Sequence, residues 1–430
     1  MKSNELVFWI WFAETLGIGN RDFRILLALY ESPYHIFSAD SLELEQIGKL
    51  SEKTVEALSN KDLRRASEIL DTCERLGIGL LPYSSELYPA RLKEIKDPPI
   101  LLYYVGNIPQ IDRLLSVAIV GTRSMSAYGM ESAYRISYEL TKAGAVTVSG
   151  MAEGIDGVSA AATIKAGGSP IAVLGCGLDI AYPKHHGRLM QEIAKRGLLI
   201  SEYPPGTRPV RYHFPERNRI ISGLSSGVAV VEAGLGSGSL ITAKHAIVQG
   251  REVFAVPPRA EGVGAEGVTG LLRDGAVFTV NTTDILNRYR YLFCDLVLEI
   301  DPADAKGAVA DVAYLTEMGV IKGQRERKSA PSEATVKEFA PSVKRAAKRI
   351  KEEKDEQPVK APRQSVPDEV LQGLDPLQRL LLESIPDDAA VTVDSLTNLG
   401  YPYGQIVSAL TMLEIEGLLE KLPGALYKKA

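Results

Sequence analysis

From about Leu80 to Tyr291, short β-branched or apolar runs end in Gly or Ser, and each is followed by a stretch of helical spacing. Seven runs read as strands: Val117 to Val120, Val146 to Ser149, Ile171 to Leu174, Leu198 to Ser201, Val228 to Val231, Glu252 to Val256 and Val277 to Val280. Strands that alternate with helices run parallel through crossovers, so the expected class is α/β, a doubly wound, mostly parallel sheet covered on both faces. In such sheets ligands bind beyond the carboxyl ends of the strands, where this chain places its glycine-rich turns.

The flanks have a different rhythm. From Trp9 to about Arg75, apolar residues recur at helical spacing between short turns, which predicts a small helical domain. Its turn Ile47 to Ser51, with a Ser51 cap and Thr54 three residues on, loosely resembles a helix-hairpin-helix, whose amides can hold a phosphate. The alternative is a plain packing module. The apolar run Leu6 to Leu16 contains Glu14 and lacks a small-residue cleavage site, so it reads as a core helix. No later run reaches about 18 uninterrupted apolar residues, so no membrane span is expected.

Lys322 to Arg363 has dense charge and almost no apolar periodicity, as in a disordered linker. Beyond it, Leu374 to Leu382, Ser395 to Leu399 and Gln405 to Leu418 read as short helices before a hairpin turning at Pro423-Gly424. That order describes a winged helix. The expected domains are thus residues 1–78 (helical), 79–291 (α/β), 292–321 (connector), 322–363 (linker) and 364–430 (winged helix).

Charge bears on what such a chain can bind. The 49 Lys+Arg and 54 Asp+Glu give a formal net charge of −5, which argues at first sight against nucleic acid. The sum conceals a partition. Lys322 to Arg363 holds 13 Lys+Arg and 7 Asp+Glu, which leaves −11 elsewhere, so any nucleic-acid site depends on a local field. The three cysteines, Cys73, Cys176 and Cys294, lack CxxC or CxxH spacing. Neither a disulfide framework nor a metal site follows, and a reducing cytoplasm fits best.

Several turns carry candidate chemistry. Gly121-Thr122-Arg123 follows a strand and precedes a helix, where helix amides and a guanidinium favour phosphate; tight packing at a bend is the structural alternative. Ser149 to Asp156 and Leu174 to Asp179 add glycines to the same rim, with Asp156 either a helix cap or a ligand contact. Cys176 has no recognisable general-base partner and is not read as a nucleophile. In Gly206 to Gly223, Arg208, Arg211, Arg217 and Arg219 surround His213 and Phe214. Closely spaced arginines hold phosphates while a ring stacks a base without reading it, the combination single-stranded nucleic acid needs. Against this, Phe214 could be core and the arginines ion pairs with Glu202 and Glu216. The last turn, Glu232 to Thr242, offers Ser237, Gly238, Ser239 and Thr242 as a phosphate cradle, with Lys244 and Arg251 as nearby charge. It lacks GxxxxGK[ST], so triphosphate hydrolysis is not indicated, and the first turn lacks GxGxxG, which argues against a dehydrogenase.

Taken in order, YPxxLxxIxDPP (Tyr88 to Pro99), VGTR, SGMAxGID, AVLGCGLDxxYP (Ala172 to Pro183), SEYPPG, FPxRNRIISGLS (Phe214 to Ser225), VVEAGxxSGSLITA (Val230 to Ala243) and GRxVFAVP (Gly250 to Pro257) closely resemble the DNA-processing protein A family, DprA/Smf. The resemblance implies an extended Rossmann-like domain, a sterile-alpha-motif-like N-terminal domain and a winged helix. It also implies a cytoplasmic, non-enzymatic homodimer, without cofactor, that binds single-stranded DNA and loads a RecA-type recombinase in natural transformation. The site residues it implies are Gly121, Thr122, Arg123, Arg211, Phe214, Arg217, Asn218, Arg219, Ser237, Gly238, Ser239, Thr242, Lys244 and Arg251. The chain departs from the family pattern at Ala160, where a His is usual, at Pro258, where Gly is usual, and over Ala265 to Thr269.

Two other functions fit parts of the chain. Glu232 beside a glycine turn suggests a hydrolase of nucleotide N-glycosidic bonds. A winged helix suggests a duplex reader, although Gln405 to Leu413 offers little Arg or Lys for base edges, which favours a protein contact there.

Overall fold

The computed structural model describes residues 3–258, 265–298 and 302–321, and, further on, 375–386, 391–392, 396, 401, 406, 409–410, 413, 418–422 and 426–429. They belong to two compact units, Met1–Lys328 and Ser329–Ala430.

The first unit opens with α1 (Ser3–Leu16), α2 (Asp22–Tyr30), α3 (Pro33–Ser38), α4 (Ser41–Gln46), α5 (Glu52–Ser59) and α6 (Arg64–Leu76). Trp9, Ile10, Trp11 and Phe12 of α1 are all buried. A helix covered on all sides for a full turn is a core helix. Trp11 Nε1 donates to the Asn60 carbonyl at 2.9 Å, and the Phe23 ring meets Tyr83 edge-on at 5.1 Å, so these helices share a core with the domain that follows. Ser51 caps α5 by accepting from Thr54 N. The carboxylate of Asp22 accepts from Ser51 N at 3.3 Å and from Thr54 Oγ1 at 2.6 Å. A carboxylate from α2 thus holds the start of α5 from within the same helical domain.

Next come β1 (Gly79–Pro82), α7 (Ala90–Lys93), β2 (Leu101–Gly106), β3 (Ser116–Val120), α8 (Ala127–Lys142), β4 (Val146–Ser149), α9 (Ile155–Lys165), β5 (Ile171–Leu174), α10 (Gly187–Arg196) and β6 (Leu198–Ser201). They are followed by α11 (His213–Gly223), β7 (Gly227–Val230), α12 (Gly238–Val248), β8 (Glu252–Ala255), α13 (Ala265–Arg273), β9 (Val277–Phe278) and α14 (Thr282–Tyr289). The sheet order is β1-β2-β6-β5-β4-β3-β7-β8-β9. The seven expected strands form, with ends shifted by at most two residues, and pair in parallel. β1 and β2 extend the edge beyond β6 with antiparallel pairing. They lie outside the strand-helix alternation, which is why that pattern does not reveal them.

Side chains alternate across each strand, and both faces are apolar. Val117 and Ile119 of β3 join the core beneath α8, α9 and α10, while Ala118 and Val120 join the core beneath α11 and α12. Within residues 292–321, α15 (Pro302–Gly307) and α16 (Val312–Glu317) form, and Leu315, Met318 and Val320 are buried in the first unit.

In the second unit, α17 (Pro376–Ser384) starts at a capping box between Asp375 and Gln378. Strands β10 (Val391–Thr392), β11 (Leu419–Leu422) and β12 (Leu426–Lys429) form an antiparallel sheet in the order β10-β12-β11. Leu381, Ile385, Leu410, Leu413 and Tyr427 are buried together. The linker Lys322 to Arg363, the turn Pro423-Gly424 and most of the helices expected at Ser395 to Leu399 and Gln405 to Leu418 lie outside the described residues.

Candidate nucleic-acid interface

The chain leaves β3 toward β4 on one side and returns to β7 on the other, so the turns after β3 and β7 flank the topological switch point of the sheet. Thr122 N donates to the Glu232 carbonyl at 2.7 Å, joining the two turns. Glu232 also accepts from Ser126 N at 3.0 Å and Ser126 Oγ at 3.2 Å, while Ser126 caps α8 through Gly129 N. The third turn enters α9 at Gly154, whose φ of 79° suits glycine. A side chain there would overlap the Thr122 carbonyl.

A cavity of about 590 Å³ opens between these turns and α11. It is lined by Gly121, Thr122 and Arg123 from the first turn, Asp156 from α9, Arg211, Phe214, Arg217 and Asn218 from the basic stretch, and Ser237, Gly238, Ser239 and Thr242 from the start of α12. Asn218 Nδ2 donates to the Gly238 carbonyl at 3.2 Å, and the Ser237 and Ser239 hydroxyls lie 2.7 Å apart. Four turns that are distant in sequence thus bring hydroxyls, helix-start amides and arginines to one rim. A smaller cavity, about 400 Å³, shares Arg123, Phe214 and Arg217 and adds Gly175, Cys176, Tyr182, Lys184 and His185.

Phe214 is half-buried between the two cavities, 5.2 Å from the Tyr182 ring, with the Arg123 guanidinium 5.5 Å from its centroid. Arg211 and Arg123 are exposed. Arg217 is only 4% exposed and donates from Nη1 to the Val173 carbonyl, while its buried Nε has no hydrogen-bond partner among the described residues. Asp156 lies inside α9 rather than at its cap, and accepts from Gly150 N at 2.9 Å. Burial raises the Asp156 carboxyl against the opposing pull of Arg217. Burial likewise lowers Arg217 to about 10, countered by Asp156, so the guanidinium stays charged at neutral pH. A Cβ at Gly150 would overlap that guanidinium.

The remaining candidates lie apart. Arg219 faces the interior, 3.4 Å from Asp97 and 2.8 Å from Glu202, and is a structural ion pair rather than a cavity residue. Lys244 is exposed on α12 but does not line either cavity. Arg251 donates to the Arg91 carbonyl and lies 3.5 Å from Glu94, away from the rim. His213 is buried, stacked on Tyr203 with centroids 3.9 Å apart. Burial pushes the Cys176 thiol up to about 11, consistent with a packing role. Tyr182, Lys184 and His185 were not anticipated; their signal was the YPKHH run after the Leu174 turn.

Residues 79–290 match the family model of the DNA recombination-mediator protein A. The DNA processing protein DprA of Bacillus subtilis is 45% identical over 217 residues, half of this chain and 73% of that protein. This chain belongs to the DNA-processing protein A family. Protein Smf of Synechocystis is 28% identical across the full length of both chains. The X-ray structure of DprA from Streptococcus pneumoniae superposes with a TM-score of 0.58 at 33% identity, covering 65% of this chain and 97% of that one. Of the departures from the DprA/Smf pattern, Ala160 is buried one turn beyond Asp156. Among the described residues, no helix is long and apolar enough to cross a membrane.

Proposed function

We propose that this chain binds single-stranded DNA at the two cavities around Phe214 and loads a RecA-type recombinase onto it during natural transformation. The carrying observation is the position of Phe214, an accessible ring with Arg123 over its face and a hydroxyl-lined, arginine-bearing cavity beside it. A base stacks where the Arg123 guanidinium now lies, and the displaced guanidinium moves onto phosphate. The Ser237 to Thr242 cradle and Arg211 hold neighbouring phosphates, and Arg217 supplies fixed positive charge behind them. Such contacts need no base identity, which suits a protein that meets arbitrary sequence.

We propose that the protein acts as a cytoplasmic homodimer joined through the α/β domain. Support comes from Ile247 and Val248 on α12 and Phe278 on the edge strand β9, all more than half exposed. The second unit, with a helix before a three-stranded sheet, is proposed as a winged helix that contacts protein. The test is a gel shift of oligo(dT) with and without the recombinase and single-strand-binding protein. A joint complex and displacement of the binding protein support loading; oligo(dT) that never shifts removes the proposal.

A further inference from the structure

Residues 206–212 lead into α11 as a loop that is pinned at both ends to the turn after β5. At one end Gly206 N donates to the Asp179 carboxylate at 2.9 and 3.0 Å, and the Thr207 carbonyl accepts from Gly177 N at 3.0 Å. At the other, His213 N donates to the Val210 carbonyl at 3.1 Å, and His213 Nδ1 lies 3.1 Å from the Gly175 carbonyl. The buried His213 ring, stacked on Tyr203, fixes where α11 begins.

Between these anchors the loop turns its side chains outward. Arg208 and Arg211 are exposed, and among the described residues neither forms an ion pair. The nearby acids are otherwise engaged: Asp179 accepts from Gly206 N, and Glu216 accepts from the Tyr203 hydroxyl at 2.9 Å. Tyr212 is 64% exposed and meets the His213 ring edge-on at 4.6 Å, which leaves its faces open. A ring so exposed buries little apolar surface, and packing does not account for it. An open ring beside unpaired guanidiniums repeats the pairing of Phe214 with Arg123. Pro209 lines the smaller cavity and Arg211 the larger, so the loop continues the rim, while Arg208 and Tyr212 line neither.

We infer that residues 208–212 form a second single-strand subsite outside the cavities, where Tyr212 stacks a base and Arg208 holds a phosphate. This rests on the single-stranded DNA reading of Phe214 and extends it. Tyr212 and Phe214 are two residues apart, their Cα atoms separated by no more than about 7 Å, so a strand leaving Phe214 meets Tyr212 within its next few nucleotides. A duplex keeps its bases stacked on one another and offers no free face, so the subsite takes unpaired strand.

The test is a ladder of labelled oligo(dT), about 4 to 16 nucleotides long, bound to the full chain at several salt concentrations. Tyr212→Ala is expected to bind the longest oligonucleotide about fivefold or more weakly with an unchanged salt slope. It should bind the shortest one that the wild type binds measurably as the wild type does. Tyr212→Leu keeps apolar bulk against His213 without a stacking face and should match Tyr212→Ala, while Tyr212→Phe should match the wild type. Arg208→Ala is expected to lower the slope of log K against log salt by about 0.7 for long oligonucleotides only. Wild-type affinity of Tyr212→Ala for the longest oligonucleotide overturns the stacking role. An equal loss at every length also overturns it, since Tyr212 would then act only by holding His213. A wild-type slope for Arg208→Ala overturns the phosphate contact. Phe214→Ala separates the two ideas: it should lose affinity at every length, and wild-type binding throughout the ladder would remove the cavity reading itself.

Discussion

The Arg217 guanidinium reaches from α11 to the Val173 carbonyl of β5, with Gly150 leaving room for it at the end of β4. One buried cation therefore ties a helix to the two strands whose turns shape the cavities. Arg217→Ala leaves Asp156 buried without its counter-charge and is expected to cost about 3–5 kcal/mol in denaturant unfolding. Gly150→Ala forces the guanidinium aside and is expected to weaken both stability and oligo(dT) binding. Unchanged values for either variant would show that the contact is not structural.

Phe214 contributes stacking rather than charge. Phe214→Ala is expected to lose about 1–3 kcal/mol of binding per stacked base, roughly 5- to 150-fold in affinity, with an unchanged salt slope. Phe214→Tyr keeps the ring and should retain most of the affinity. Fluorescence anisotropy at several salt concentrations distinguishes this from a lost phosphate contact, which changes the slope.

His186 gives the fold a predictable acid response. It is fully buried, and burial depresses its imidazole from 6.5 to about 4. Between those values the unfolded chain binds a proton that the folded chain does not. Stability contributed by the neutral ring is thus complete above about pH 6.5 and is lost as pH falls toward 4, by on the order of 3 kcal/mol. Urea midpoints measured across this range should fall for the wild type and fall less for His186→Gln. Parallel profiles would assign the acid loss to other groups.

Glu232 is tied to Ser126 and so holds two turns together. Its carboxylate is occupied in capping the start of α8 rather than facing an empty site. Glu232→Gln is expected to lower stability by about 1 kcal/mol. Incubation with AMP is expected to release no free base; release that Glu232→Gln abolishes would instead make the chain a hydrolase.

The sheet is legible in the sequence because each parallel strand is a short buried run followed by its own crossover helix, as at Val117 to Val120. β1 and β2 have no such partner and stay hidden. The rim is legible for a related reason: glycines and hydroxyls collect after strands, and topology places those ends together. Individual arginines are harder. Arg217 and Arg219 are two residues apart on α11, about 200° around the helix, so one faces the cavity wall and the other the Glu202 interior. Sequence spacing shows that they diverge but not which one turns inward to a carboxylate. Lys244 on α12 and Arg251 beyond its end follow the cradle in sequence, yet neither lines the cavity.

Single-stranded DNA is proposed to bind in the cavities around Phe214. The most direct measurement is the affinity of the full chain for labelled oligo(dT) at fixed moderate salt, compared with an Arg123→Ala, Phe214→Ala double variant that melts like the wild type. The wild type is expected to bind in a salt-sensitive way and the double variant to lose about 20- to 600-fold. Equal affinity for the two proteins would contradict it and place the DNA elsewhere on the molecule.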